Sequence, residues 1–428
     1  MTINTDKRAY TVVLYGATSF VGQITAHYLA QFLTEQKPNE DASHSVTWAI
    51  AGRDEDKLKK LQDEIVSKQG NKADKVAIII ANSNDEASLD AMTKQTQVLI
   101  STVGPYLKYG EPLIKSCAQN GTDYVDLTGE AIFIKDMLDK YQDTAKQSGA
   151  RIVNSCGFDS IPSDLGVYFT QQQAQDKFNQ TCETIHMRVK AAKGGVSGGT
   201  IASMGTIFEE VGEDKARRKQ VANPYLLNDD TDAPTTRQKN ISKPEYDDDH
   251  KRWLAPFVMA VMNTRIVHRT NQLLSYEYGR EFKYDEAMWM QDGVKGKLMS
   301  YGLSAGLLGF ASAMMFKPSR ELLSKHVLPK SGSGPSKSEQ ENGFFDIRFF
   351  GTTAKQDTIN TKVTGDRDPG YGSTSRMLAQ SALCLAQDIS QEDVAGGFWT
   401  PATAMGDKLI QRLEEHAGLS FEIVDNAN

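Results

Sequence analysis

Cysteine is scarce in this sequence: Cys117, Cys156, Cys182 and Cys384 are the four in 428 residues, and no two form a Cys-x-x-Cys pair. That spacing excludes a zinc ribbon and a disulfide framework, so no metal site is expected and a reducing setting suits the chain. Positive charge is in deficit as well. A formal net charge of −7 argues against nucleic acid as a partner, and the run Arg217-Arg218-Lys219 is too short to reverse it. Histidine is limited to His27, His44, His186, His250, His268, His326 and His416, none at the end of an apolar strand-like run, so a histidine acid is not expected. The amino-terminal residues lack an apolar run backed by a small-residue cleavage site, and the expectation is a cytoplasmic protein. One charge-free run stands apart from the strand and helix rhythm, Met299–Phe316, bracketed by Lys297 and Lys317. Its length suits a membrane span, but its many small residues and its place inside a soluble pattern favour a buried helix or a homodimer face. An interfacial helix in peripheral membrane contact is the alternative.

What is present is a rhythm of short β-rich apolar runs and longer helical patterns. Strands are expected at Tyr10–Gly16, Val46–Gly52, Val76–Ala81, Val98–Gly104, Asp123–Gly129 and Arg151–Gly157, with helices near Val21–Leu33, Glu55–Ser67, Glu86–Lys94, Glu111–Gln119 and Ile132–Gln147. The strand interiors are almost continuously apolar, as strands covered on both faces require. This predicts an α/β fold: a Rossmann-type doubly wound parallel sheet over residues 1–160 and a second, mixed α/β domain over 161–370. A closing helical segment, 371–428, is expected to pack back on the first domain. The polar stretch Asn223–Lys251, with Asp247-Asp248-Asp249 near its end, reads as a solvated loop, and Pro329–Gly343 as a second loop.

The turn after the first strand reads Gly16-Ala17-Thr18-Ser19-Phe20-Val21-Gly22. Gly16 permits a tight exit, small residues let backbone N–H groups approach a diphosphate, and Gly22 lets helix and strand pack closely. The second strand ends without the acidic residue that would hold the 2′-hydroxyl of NAD. Arg53 follows Gly52 instead, with Lys57 one turn into the next helix, while Asp54 is placed to cap that helix. NADP(H) is therefore the expected cofactor. The fourth strand runs into Val103, Gly104 and Pro105, a break expected to face the nicotinamide half, and then Tyr106 and Tyr109. Later strand ends bring Asp126, Thr128 and Glu130, then Cys156 and Asp159. Cys156 reads as a buried small residue, and Asp159 either as a catalytic acid or as a helix cap.

The segments GATSFVG, AGRDEDKL, TVGPYLKYGEPLIKSC, GTDYVDLTGE, RIVNSCGFDSIPSDLG, GGVSGGTIAS, TGDRDPGYGSTSRML and GGFWTPATAMGDKLIQRL resemble those of saccharopine dehydrogenase-like oxidoreductases, nearest to the bacterial trans-acting enoyl reductase branch. The resemblance runs from Val12 to Leu413, leaving out the residues around Asn223–Lys251. It implies an NADP-binding Rossmann domain, a second mixed domain, and reduction of a carbon–carbon double bond in an acyl chain presented by a polyketide synthase or acyl carrier. Ser19 departs from the glycine usual there. Hydride addition to an acyl or lipid-like substrate needs a donor for the developing oxyanion and a proton for the α-carbon, and Tyr106, Tyr109 and Asp159 are the candidates. Two rival readings are a saccharopine-type dehydrogenase, which would gather Arg188, Arg265, Arg269 and Arg280 around carboxylates, and a non-catalytic, membrane-associated NADP-binding protein.

Overall fold

Apolar strands separated by helix-length connections must run parallel, because a crossover returns each strand in the same direction. In the computed structural model, which describes residues 8–35, 46–69, 76–195, 203, 205–206, 214–229, 231–326 and 334–425, this is how the chain begins. Strand β1 (Tyr10–Tyr15) leads into α1 (Phe20–Glu35), β2 (Trp48–Gly52) into α2 (Glu55–Gln69), and β3 (Ala77–Ile80) into α3 (Glu86–Thr93). Then come β4 (Thr96–Ser101), the single-turn α4 (Tyr106–Tyr109), α5 (Glu111–Asn120), β5 (Asp123–Asp126), α6 (Ala131–Ser148) and β6 (Arg151–Val153). The register of β1 against β4 (Val12 to Val98, Leu14 to Ile100) and against β2 (Val12 to Trp48) puts the wholly buried Val12, Val13 and Leu14 at the centre of the sheet.

The chain then builds a second sheet. It passes through α7 (Ile161–Phe178), β7 (Cys182–Lys193), α8 (Lys215–Ala222), β8 (Glu245–Asp247), β9 (Arg252–Ala255), α9 (Ala260–Leu273) and β10 (Lys283–Trp289). Next are α10 (Gly293–Met315), α11 (Lys317–His326), α12 (Lys337–Glu341), β11 (Phe344–Thr353) and β12 (Thr358–Gly365). After that come α13 (Thr374–Gln387), β13 (Gly397–Trp399), α14 (Pro401–His416) and β14 (Leu419–Ile423). The first sheet has the order β13-β6-β5-β4-β1-β2-β3, and every neighbouring pair in it is parallel. The second has the order β14-β12-β11-β7-β10-β9-β8, antiparallel except for β7 against β10.

Two compact units result: Met1–Phe158 with Tyr371–Ala417, and Asp159–Gly370 with Gly418–Asn428. The segment 371–428 is thus not one helical appendage. Helix α13, buried along most of its length, lies against β1, β4 and β5, and β13 extends the first sheet beside β6, whereas β14 pairs with β12 in the second sheet.

Two other expectations are corrected. The stretch 223–251 is solvated only in part: among its described residues Tyr225, Leu226, Leu227, Asn228 and Ile241 are buried, and Ile241 joins Leu254, Ala287, Trp289 and Phe350 in a core cluster. Its acidic run has a structural task, since the Asp247 carboxylate accepts from His250 at 3.1 Å and lies 3.9 Å from the buried Arg188 guanidinium. The charge-free segment Met299–Phe316 is helical, but most of it is exposed, with Val294 of the same helix at 75% and Leu308 at 70%. Buried helices conceal such residues, so the buried-helix reading fails. Part of the loop expected at Pro329–Gly343 is α12, closed by a capping box between Ser336 and Glu339; the rest of it, up to residue 333, lies outside the described residues.

Candidate functional site

In the order β6-β5-β4-β1-β2-β3 the chain reverses direction between β1 and β4, and the loops leaving those two strands face each other at the carboxyl edge. Gly16 leaves β1 at φ +83°, a conformation that glycine adopts without strain. A Cβ there would stand 2.7 Å from Thr102 Oγ1 and from Val103 Cγ2. At Gly22 a Cβ would lie 2.2 Å from the Gly16 carbonyl oxygen, so this glycine sets the spacing of helix and strand. Ala17 is buried and Thr18 half-buried beside them.

Ser19, the residue that departs from the family glycine, acquires a function in the structure. Its Oγ accepts from the Gly22 N–H at 2.9 Å, as a helix cap does, and sits 3.0 Å from Thr102 Oγ1. Thr102 in turn donates to the Gly16 carbonyl at 2.9 Å. The two loops are therefore tied by side chains, a bond that sequence reading missed because it joins positions 83 residues apart. Among the described residues the amides of Thr18, Phe20 and Val21 have no protein acceptor, and the last two open the first turn of α1. N–H groups at a helix start carry the positive end of the dipole, which suits a diphosphate. Phe20 packs edge-on against Tyr371, ring centroids 5.2 Å apart.

At the end of β2, Arg53 is exposed, and the Asp54 carboxylate turns to cap α2, accepting from Lys57 N–H at 3.1 Å. The Lys57 ammonium, and after it that backbone bond, hold the Asp54 carboxyl below its usual range. Lys57 Nζ lies 3.0 Å from Asp54, so it is engaged by its own helix, while the Arg53 guanidinium stands exposed at the end of β2. The cradle, the two unpaired first-turn amides and the guanidinium fit a phosphorylated dinucleotide.

After β4, the loop Val103, Gly104 and Pro105 carries a cis peptide bond between the last two and leads into α4. Glu130, buried at the end of the β5 region, reaches back to this loop: its carboxylate accepts from Tyr106 N–H at 3.0 Å and from Leu107 N–H at 2.8 Å. It fixes the loop. Asp126 likewise organises the edge, accepting from Thr128 N–H, Ser155 N–H, Asn154 Nδ2 and the Tyr124 hydroxyl at 2.8–3.1 Å, and burial pushes its carboxyl up to about 6.

The two tyrosines part company here. Tyr106 is 3% exposed and its hydroxyl donates to the Ser101 carbonyl at 3.0 Å, so its proton is spent inside the fold and it is removed from the candidate acids. Tyr109 is 42% exposed on the same turn. Asp159 opens the second unit, half-buried, and Ser160 rather than Asp159 holds the cap position of α7, its hydroxyl donating to Asn263 at 3.1 Å. The structure thus gathers Gly16–Gly22, Arg53 and Val103–Pro105 on one unit's carboxyl edge, with Tyr109 beside them. Cys156 is fully buried.

Comparison with known proteins agrees with this geometry. Residues 12–153 match the family model described as the saccharopine dehydrogenase NADP binding domain. A protein of Mycobacterium tuberculosis, strain H37Rv, whose name assigns it to the trans-acting enoyl reductases, is 38% identical over 428 residues, 97% of each chain. The trans-acting enoyl reductase of Mycobacterium leprae is 34% identical over 418 residues, 95% of this chain and 96% of that one. Among solved structures, apo saccharopine dehydrogenase (L-Glu forming) from Saccharomyces cerevisiae shares the fold at TM-score 0.53 and 13% identity, covering 97% of this chain and 100% of that one.

Proposed function

Because this chain belongs to the trans-acting enoyl reductase family and is an NADP-dependent oxidoreductase, we propose that it reduces the carbon–carbon double bond of an α,β-unsaturated acyl thioester. The acyl chain is lipid-like and is delivered by a separate carrier or polyketide synthase, the partner that a trans-acting reductase requires. The observation that carries the reading is the cradle of Gly16 and Gly22, whose neighbouring amides and Arg53 supply the donors that a phosphorylated dinucleotide needs. The four cysteines are free and buried, which suits a cytoplasmic setting.

Bound at this edge, reduced NADP supplies a hydride for the β-carbon of the acceptor. The residues of the chain do the rest. Phe20 and Val21 N–H groups would hold the diphosphate, with Ala17, Thr18 and Ser19 small enough to admit it, and Arg53 would pair with the 2′-phosphate while Lys57 adds positive charge nearby. Val103, Gly104 and Pro105, which lead into the Tyr106 and Leu107 amides held by Glu130, would form the floor for the nicotinamide half. At the acceptor, the Tyr109 hydroxyl would donate to the thioester oxygen on which the enolate charge develops, then give up its proton to the α-carbon and be reprotonated from solvent, leaving the saturated thioester. Asp159 is the second candidate acid.

The saccharopine-type alternative is disfavoured by its arginines. Arg188 donates to Asp285 at 2.7 Å, Arg265 to the Val221 carbonyl and Thr264, Arg269 to Gln272 at 3.1 Å, and Arg280 to Asp232 at 2.9 Å. Each guanidinium is engaged with its own surroundings. The deciding experiment supplies NADPH carrying deuterium at the transferable position to a series of enoyl thioesters and analyses products by mass spectrometry. Saturated product with deuterium on the β-carbon supports the proposal. Tight NADPH binding with no consumption against any enoyl thioester overturns it and leaves a coenzyme-binding protein without turnover.

A further inference from the structure

Helix α10 shows its apolar residues to the outside. One seam, Gly296, Ser300, Leu303, Leu307, Ala311 and Met314, faces the fold: Ser300 donates to the Leu254 carbonyl of β9, and Met314 is buried. The opposite seam follows the same helical spacing through Val294, Leu298, Tyr301, Ala305, Leu308, Ser312 and Met315, and every one of these residues is exposed. Leu298 is 68% exposed, and Phe316 and Leu322 continue the surface beyond the helix end. Beside the seam, a Cβ added at Gly302, Gly306 or Gly309 would meet nothing within 4 Å. Soluble proteins seldom leave so long an apolar ridge uncovered.

Charge tells what covers it. From Gly293 to Arg320 there are four basic residues, Lys295, Lys297, Lys317 and Arg320, and no acidic one; the flanking acids are Glu321 and the cap residue Asp292, whose carboxylate accepts from the Gly293 N–H and the Tyr246 hydroxyl. The basic residues stand at the two ends of the ridge, with an uncharged stretch between. A second copy of this chain docking through the same ridge would set cations against cations, whether the helices ran parallel or antiparallel. A protein partner of acidic surface would find no cation along the middle. A bilayer with anionic headgroups matches both features, apolar residues entering the acyl boundary and lysines meeting phosphates at either end.

We infer that α10 is an in-plane membrane-binding helix that seats the protein on an anionic lipid surface. It lies on the membrane and does not cross it: although 23 residues are long and apolar enough to span, the inner seam is fastened to β9, and a spanning helix would have to tear it away. The inference is independent of the reaction proposed above, since it rests on no residue of the coenzyme edge.

The test floats the purified full-length protein with vesicles of phosphatidylcholine containing phosphatidylglycerol and with phosphatidylcholine alone, measuring NADPH binding on each sample to establish that the fold is intact. The wild type should float with the anionic vesicles at least about tenfold more than with the neutral ones. Leu298→Glu combined with Leu308→Glu should reduce flotation by about a hundredfold or more with NADPH binding unchanged. Lys295→Gln combined with Lys317→Gln should cost roughly twentyfold on anionic vesicles and leave the neutral ones unaltered. A wild type that stays with the soluble fraction on both vesicles overturns the inference. So does flotation that ignores the Leu298 and Leu308 changes, or a solution dimer that those same changes convert to monomer.

Discussion

The two sheets have seven strands each and differ in direction. In the first, all strands run the same way, so every loop that leaves a carboxyl end emerges on one edge, and Gly16, Arg53, Pro105 and Glu130 meet there despite their separation in sequence. In the second, neighbouring strands mostly oppose, loops emerge at both edges, and no edge collects them. Two of its buried carboxylates are instead paired within the sheet and its helices. Asp285 accepts from Arg188 and bonds His186, and Glu286 accepts from Tyr284 Oη at 2.7 Å and Asn263 Nδ2 at 2.9 Å. Parallel topology concentrates chemistry, whereas the mixed sheet spends its polar groups on holding itself together.

If that contrast is right, substitutions at the first sheet's carboxyl edge should change binding and turnover, and substitutions in the second sheet should change stability alone. The largest effect is expected for Gly22→Ala, which forces a Cβ to within 2.2 Å of a backbone oxygen. NADPH affinity by fluorescence titration should fall by roughly a thousandfold or be lost, and an unchanged affinity would break the cradle assignment outright. Next, Tyr109→Phe should lower kcat about a hundredfold or more with NADPH affinity intact. Tyr106→Phe, which removes a buried hydrogen bond, should instead lower the melting temperature through a loss of about 1–2 kcal/mol. If the two variants behaved alike, the distinction drawn from their exposure would be wrong.

Arg53→Ala should weaken NADPH about ten- to a hundredfold and leave NADH nearly unaffected, as loss of charge-assisted bonds to one phosphate requires. Equal losses for both coenzymes would move the 2′-phosphate elsewhere.

The last effect belongs to the second sheet and is one of stability alone. Burial pushes the Glu286 carboxyl up to about 7, above its value in an unfolded chain, so the folded state holds the proton more tightly. Its contribution is fully present at acidic pH and is lost as pH rises through 7, a span of about 3 kcal/mol. Glu286→Gln should therefore flatten the decline in urea stability between pH 5 and pH 8 and leave coenzyme binding untouched. A parallel decline in variant and wild type would sharpen the comparison against Glu286.

The same difference in topology explains what the sequence made legible. Six parallel strands were readable because each is a short apolar run ending near a glycine or a polar turn, and the observed strands fall within a few residues of those expected. β13 was not: three residues, Gly397–Trp399, show no alternation, and only pairing with β6 makes them a strand. β7 escaped for a different reason. Its residues from Cys182 to Lys193 mix apolar, charged and histidine side chains, because an inner strand of the mixed sheet buries Arg188 against Asp285 as well as Ile185 and Met187. At the candidate site the small-residue turn and Arg53 could be read locally. The Ser19 to Thr102 bond, the Glu130 clamp on α4 and the inward hydroxyl of Tyr106 could not, since each depends on which distant segment folds alongside.

The first unit also takes α13 and β13 from beyond residue 370. A ribosome must therefore synthesise the whole second sheet bar its last strand before the coenzyme-binding unit can close, and until then the faces of β1, β4 and β5 that α13 covers are open to water. Nascent chains halted anywhere before that helix should be clients for chaperones, and a fragment ending at residue 160 should aggregate rather than bind nucleotide.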